Sequence, residues 1–468
     1  MFITGLTNGG PAGALYEYLV AWVGFISVNA VLGELASMAP TSGAQYHWVS
    51  ILAPRSSRKF LGYITGWLML AGWQAMTASA AYLCGTMIQG ALVLTHPDYL
   101  NHWQNWHGTL LLWAVILLSV TVNTVWGPLL ARFEGAVLVL HVLGFFAILL
   151  PLVLLSDHSN PGAVWTTFLN QGGWPTQGLS FCIGIQGSVF AFLGGDGAIH
   201  MSEEIRNPSM IVPRSLLAGL LINGILGFAM LIALLYCMGD VDQALEANPS
   251  YPFMAIFKSS VGSTAGATVM VSIIIIMAFA ATTGCLASTS RIYWAFARDH
   301  ALPGSQYLKK LDSRTHVPMT AVVTTTILSC LLALVNIGDA TAFNGVISIT
   351  VAGVMGSYLI VACLILYRRL TTGIRPRNDD NTLTNTTGAG LTWGPWRLKG
   401  FIGIANNTFA CAFLAFTFFF SFWPAVADVT PASMNWAVLV TVIVLGFSIA
   451  YYALVARKTF SGPIVEVE

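Results

Sequence analysis

The strongest constraint on this chain is the recurrence of apolar runs about 20 residues long, the length a helix needs to cross a bilayer. Eleven such runs stand near 12–40, 59–90, 108–126, 131–155, 179–201, 214–238, 264–290, 319–338, 343–367, 401–425 and 434–456. Lipid offers no water to the backbone, so each run must bond its own N–H and C=O groups as a helix. The 468 residues are 56% hydrophobic and 8% charged, against roughly 25% charged in an ordinary soluble domain. An all-α integral membrane protein with eleven transmembrane helices is expected.

The fifth run differs from the others. From Gly187 to Arg214 it reads GSVFAFLGGDGAIHMSEEIRNPSMIVPR, breaking at Leu193-Gly194-Gly195-Asp196-Gly197 before it reaches a charged end. Irregular backbone at membrane depth persists only where it lines a protein cavity or meets a bound solute, so this break points to solute transport.

Basic residues are retained on the cytoplasmic side of membranes. With the N-terminus outside, every Lys and Arg except Lys258 falls in an inner segment, and the C-terminus lies in the cytoplasm. The net charge of +1 argues against nucleic acid as a partner. The seven cysteines fall inside the apolar runs without the spacing of a metal site or disulfide framework. His96, His102 and His107 share one outer loop, but no carboxylate or cysteine accompanies them, so no metal is expected. Residues 1–11 lack the basic region and apolar core of a cleavable signal.

Three passages carry a family resemblance: GELASMAPTSGAQYHWVSILAP (33–54), GDGAIHMSEEIRNPSMIVPRS (195–215) and STSRIYWAFARDHALPGS (288–305). With them the chain resembles the amino acid, polyamine and organocation transporter superfamily, most closely its fungal branch of GABA, choline and amino acid permeases. The resemblance implies a five-plus-five inverted-repeat fold plus two helices, with the first helix of each repeat broken. On that scheme residues 1–11 are the remnant of a first helix and turn, and 12–155 hold the first repeat in four spans. Residues 179–367 form the second repeat, broken at 193–197. The segment 368–400 is a flexible cytoplasmic loop, 401–456 the last two spans and 457–468 a cytoplasmic tail. The first helix of the first repeat is expected to be missing.

The break supplies the leading site residues. Gly194, Gly195 and Gly197 admit backbone conformations closed to other residues, which frees polar groups next to Leu193 to face a solute. Asp196 among them is a carboxylate at mid-depth, costing about 2.5 kcal/mol or more if unpaired. It can face an amine, take up a proton or pair with a nearby donor. Gln74 and Thr77 share one face of the second run and can line a solute path or join helices. His141, in an apolar stretch of the fourth run, is the candidate proton-coupling group, since histidine titrates near neutrality. His200, Glu203, Glu204 and Arg206 form a candidate inner gate. Glu34 is expected to pair with inner loops, Glu134 to anchor a helix end, and Glu17 to reach up to the outer surface.

The combined reading is a secondary permease working by alternating access, importing an amino acid or related amine such as GABA or choline. Its driving force is expected to be the proton gradient, with no cofactor and no enzyme activity. Its partners are the small-molecule solute and the lipid bilayer. The plasma membrane is the expected location, with the vacuole or another internal membrane as the alternative. A second reading is a non-transporting sensor or a degenerate, truncated relative.

Overall fold

Satisfying the backbone inside lipid leaves helices as the economical solution, and helices dominate the computed structural model of the chain. The structure describes residues 2–125, 130–239, 251–338, 340–371, 373–376, 385, 390–431, 433–460 and 462–463. The principal helices in the first half are α1 (Phe2–Met38), α2 (Ala44–Leu52), α3 (Arg58–Thr95), α4 (Asn105–Thr124), α5 (Leu130–Leu155) and the short α6 (Pro161–Trp165). Next come α7 (Gln177–Ala191), the single turn α8 (Gly197–His200), α9 (Pro208–Tyr236), α10 (Pro252–Val261) and α11 (Thr264–Arg298). The last four are α12 (Met319–Gly338), α13 (Ala340–Thr371), α14 (Gly400–Phe420) and α15 (Ala437–Tyr451).

Ten helices among the described residues are long and apolar enough to cross a membrane. The remaining apolar run, 179–201, is the broken one: it appears as α7 and α8 with irregular backbone between them. The chain is therefore a multi-pass integral membrane protein. Helices at matching places in the two halves pack together, α1 on α9, α3 on α11 and α4 on α12. α1 also runs along α7, while α14 packs on α13 and α1.

Helix α1 contains a sharp kink whose cause is local. Pro11 has no N–H to give, and Gly10 adopts φ 68°, ψ −170°, a conformation that only glycine takes easily. The groups released there are taken up by the 167–171 strand of chain. Ala12 N–H donates to Thr167 O at 3.1 Å, Leu169 N–H to Gly9 O at 3.3 Å and Gln171 N–H to Thr7 O at 2.8 Å. A methyl on Gly10 would meet Leu169 N at 2.7 Å, so glycine is also required by the close approach.

At the end of the bundle rich in Lys and Arg, Glu34 of α1 forms an ion pair with Arg369 of α13, both buried. The Glu34 Oε1 accepts the Leu398 N–H at 2.7 Å, and the Arg369 guanidinium lies 4.5 Å above the Trp393 ring. Trp396 N–H donates to Ser37 Oγ at 2.9 Å, and Asn385 Nδ2 donates to Met38 O at 3.1 Å. The expectation of a flexible loop over 368–400 therefore does not hold for 390–399, which is fastened to the end of α1. The reason is that its apolar tryptophans and backbone amides find a buried acid and a helix end to bind. Residues 372, 377–384 and 386–389 of that segment lie outside the described residues.

Candidate solute-binding site

The break begins where α7 runs out. Phe192 and Leu193 close short turns onto Val189 O and Phe190 O, and Gly194 then takes φ +86°. Gly197 N–H returns to Gly194 O at 3.0 Å, starting the single turn α8. Each side chain or glycine face in this segment meets a different wall. A methyl on Gly194 would lie 3.2 Å from Met76 Sδ, and one on Gly197 would lie 3.0 Å from Ser288 Oγ. Gly195 turns the other way, toward Asn29.

Leu193, Gly194 and Gly197 line a cavity of about 700 Å³, together with Trp73 of α3, Phe190 of α7 and Ser288 of α11. Ser288 Oγ also donates to Gly197 O at 3.4 Å, linking α11 to the break. Among the described residues, Glu134 of α5 is the one acid in the lining, and no Lys, Arg or His lines it. Gly195 instead borders a smaller space of about 240 Å³ against Asn29 and α9. Such a mostly apolar chamber with a few polar groups suits a small organic solute.

Asp196 stands behind this wall. It is buried, and its Oδ2 accepts from Gln45 Nε2 at 3.0 Å and lies 3.3 Å from His200 Nε2. The Tyr358 hydroxyl of α13 stands beside it. His200 completes the cluster through Nδ1, 3.1 Å from Ser42 O, and its ring meets Trp73 edge-on with centroids 5.2 Å apart. The Asp196 side chain thus ties the break to α2 and borders neither cavity.

A family model for amino acid permeases matches residues 1–445. The chain belongs to the amino acid permease family. Among curated proteins it is similar to a choline transporter of Saccharomyces cerevisiae, 27% identical over 461 residues that span 98% of this chain and 78% of that protein. It is also similar to an uncharacterized amino-acid permease of Schizosaccharomyces pombe, 29% identical over 468 residues covering 99% of this chain and 82% of the relative. A third relative is amino-acid permease 2 of Neurospora crassa, 26% identical over 467 residues with 99% and 82% covered.

In this member of the amino acid permease family the other sequence candidates separate into groups. Gln74 Nε2 donates to Ser329 Oγ at 2.8 Å and to Thr325 O at 3.3 Å, joining α3 to α12. Thr77 Oγ1 and Thr289 Oγ1 are 2.8 Å apart and join α3 to α11. Neither lines the 700 Å³ cavity. His141 is half-buried on α5, at i+7 from Glu134 and i+4 from Val137, so it shares a helical face with two residues that do line it.

Glu203 and Glu204 are drawn into two ion pairs with α11, Glu203 to Arg298 at 3.2 Å and Glu204 to Arg291 at 2.9 Å. Glu203 Oε1 also accepts the Ser42 N–H at 2.9 Å and the Thr41 hydroxyl at 3.2 Å. Burial would push the Glu203 carboxyl up, but the Arg298 guanidinium and these donors together hold it below the usual carboxylate range. Arg206 is exposed and joins neither pair.

Glu17, expected at the surface, is instead fully buried between α1 and α7. The sequence reading also missed Gln45 as the partner of Asp196, although it lies inside the quoted 33–54 passage. Met76 and Glu134 were missed as wall residues because nothing in their own runs marks the face that turns inward.

Proposed function

We propose that this chain is a secondary permease carrying an amino acid or related amine, such as choline or GABA, by alternating access. The observation that carries the reading is the 700 Å³ cavity opening on the backbone break at 193–197. The names of the yeast and Neurospora relatives point the same way. The lining favours a cationic or zwitterionic amine head: Glu134 is the one charged side chain among the described lining residues, and Trp73 and Phe190 add aromatic rings that suit a quaternary or primary ammonium.

The two ion pairs that join the Ser202–Glu204 turn after α8 to α11 lie at the end rich in basic residues, where Glu203 and Glu204 clasp Arg298 and Arg291. In the proposed cycle these pairs close the inner side and separate when it opens. The proton gradient is the driving force, with His141 one candidate carrier, and the N-terminus faces outward in the plasma membrane. Uptake of labelled choline, GABA and neutral amino acids by a permease-deficient yeast expressing the chain tests the reading. Saturable uptake of one of them, competed by unlabelled solute and lost in Trp73→Ala, is the expected result. Uptake of none of them above the host background would refute it.

A further inference from the structure

One buried acid plays no part in the cavity or the ion pairs. Glu17 is 0% exposed, and neither of its carboxyl oxygens has a hydrogen-bond partner among the described residues. Four glycines make room for it. A methyl on Gly9 would lie 2.6 Å from Oε1 and one on Gly5 3.1 Å from Oε2, while one on Gly184 of α7 would overlap the carboxyl itself. Gly13 closes the cradle at 3.7 Å. The carboxyl occupies the volume that ordinary side chains would fill, at the seam of α7 with both arms of kinked α1.

The surroundings limit what such a group can bind. A Mg²⁺ or Ca²⁺ ion needs six or more oxygen ligands, and among the described residues no second carboxylate is turned into the cradle. An organic amine needs space, and Glu17 lines neither of the two cavities at the break. The ionisable side chain facing it from α7 is the Cys182 thiol. Its neighbours Tyr16 and Tyr18 turn away, donating to Trp165 O and to Gly224 O of α9. The stretches of α6, α9, α13 and α14 beside α1 set no Lys, Arg, His, Asp or Glu against it among the described residues. A bare carboxylate charge in such a place is costly, and a bound proton removes the charge without needing any volume.

We propose that Glu17 is a proton-binding site that couples the proton gradient to movement of α7. The carboxylate takes one proton from hydronium, leaving water and a neutral acid, and gives it back to water when the seam opens toward the other side. The charged form requires water between α1 and α7, whereas the neutral form allows them to close. Helix α7 runs directly into the break that lines the solute cavity, so a proton at Glu17 and a solute at Gly194 act on one shared element. This inference rests on the permease reading above.

The test uses the purified full chain in liposomes, wild type and Glu17→Gln, with two readouts. Solute counterflow needs no gradient and tests transport alone, while accumulation driven by an imposed pH gradient tests coupling. The expected result is that Glu17→Gln loses gradient-driven accumulation while counterflow persists; accumulation equal to wild type overturns the proposal. Infrared difference spectra between acidic and alkaline buffer are independent of transport. They are expected to show the C=O stretch of a buried carboxylic acid that disappears in Glu17→Gln. Wild-type spectra without such a band overturn the proposal even if the variant fails to fold. Absence of counterflow in wild type counts against the permease reading, and the infrared arm still decides whether Glu17 binds a proton.

Discussion

Helix α1 buries two glutamates, Glu17 near its middle and Glu34 near its C-terminal end, and their surroundings treat them in opposite ways. Glu34 is met by the Arg369 guanidinium and by the Leu398 N–H, and the whole group is covered by Trp393. Glu17 is buried to the same degree, sits in a cradle of four glycines, and has no hydrogen-bond partner for either carboxyl oxygen among the described residues. Removing an ion from water costs several kcal/mol whether or not it is later paired, and only a well-formed pair recovers the cost. Glu34 therefore belongs to the stability of the fold, where it staples 390–399 to the bundle. Glu17 makes no comparable pair among the described residues, which is the feature that the proton-binding proposal rests on.

The comparison predicts its largest effect at Arg369. Arg369→Ala leaves the Glu34 charge buried without its counter-charge, at a cost of about 3–5 kcal/mol, seen as a large drop in the melting temperature of the detergent-solubilised protein. Adding Glu34→Gln to that variant should recover part of the loss, because the two changes act on one pair. The corresponding change at the unpaired acid, Glu17→Gln, should leave the melting temperature unchanged or raise it. A clear loss of stability in Glu17→Gln would erase the distinction between the two acids.

A smaller effect is expected at Gly184. Its added methyl in Gly184→Ala collides with the Glu17 carboxyl and should cost about 1–3 kcal/mol by overpacking. Combining it with Glu17→Ala should remove most of that penalty. Additive losses in a double-mutant cycle would show that the cradle is not built around this carboxyl.

Asp196 falls between the two glutamates, since it is buried at the break but has Gln45 and His200 as partners. Asp196→Asn keeps the shape and one acceptor, so its effect on stability should be about 1 kcal/mol, measurable as a small shift in melting temperature. Uptake is expected to be abolished, because the strut that fixes the break against α2 loses its charge. Undiminished uptake in this variant would separate Asp196 from the transport cycle.

What could be read from the sequence follows the same division. The spans were legible because lipid forces every apolar run of the right length into a helix, and the break because glycines cluster around one acid in a single run. The side on which each residue lies was not legible. These helices are apolar nearly all round, so periodicity marks no inward face, and Glu17 could be expected at the surface although the cradle encloses it. Partnerships across long stretches of chain were equally hidden. Glu34 with Arg369 and Gln45 with Asp196 join elements whose approach is decided by packing, and the 33–54 passage names one partner of each pair without naming the other.

The smallest predicted effect concerns pH at the basic end. The Glu203 carboxyl is held below its ordinary range by Arg298 and the Ser42 N–H. A carboxyl depressed in the folded state lends stability that is complete above its unfolded value, about 4.3, and is lost as pH falls through the lower folded value. The Glu203–Arg298 pair should therefore add the same increment of stability from pH 8 down to pH 5. Its contribution should fade only under more acidic conditions. Melting curves of wild type and Glu203→Gln should run parallel above pH 5 and converge below it. Convergence already near neutrality would mean that Arg298 does not hold this carboxyl ionised. The basic-end acids would then resemble Glu17 more than Glu34, and the contrast between paired and unpaired acids would fail.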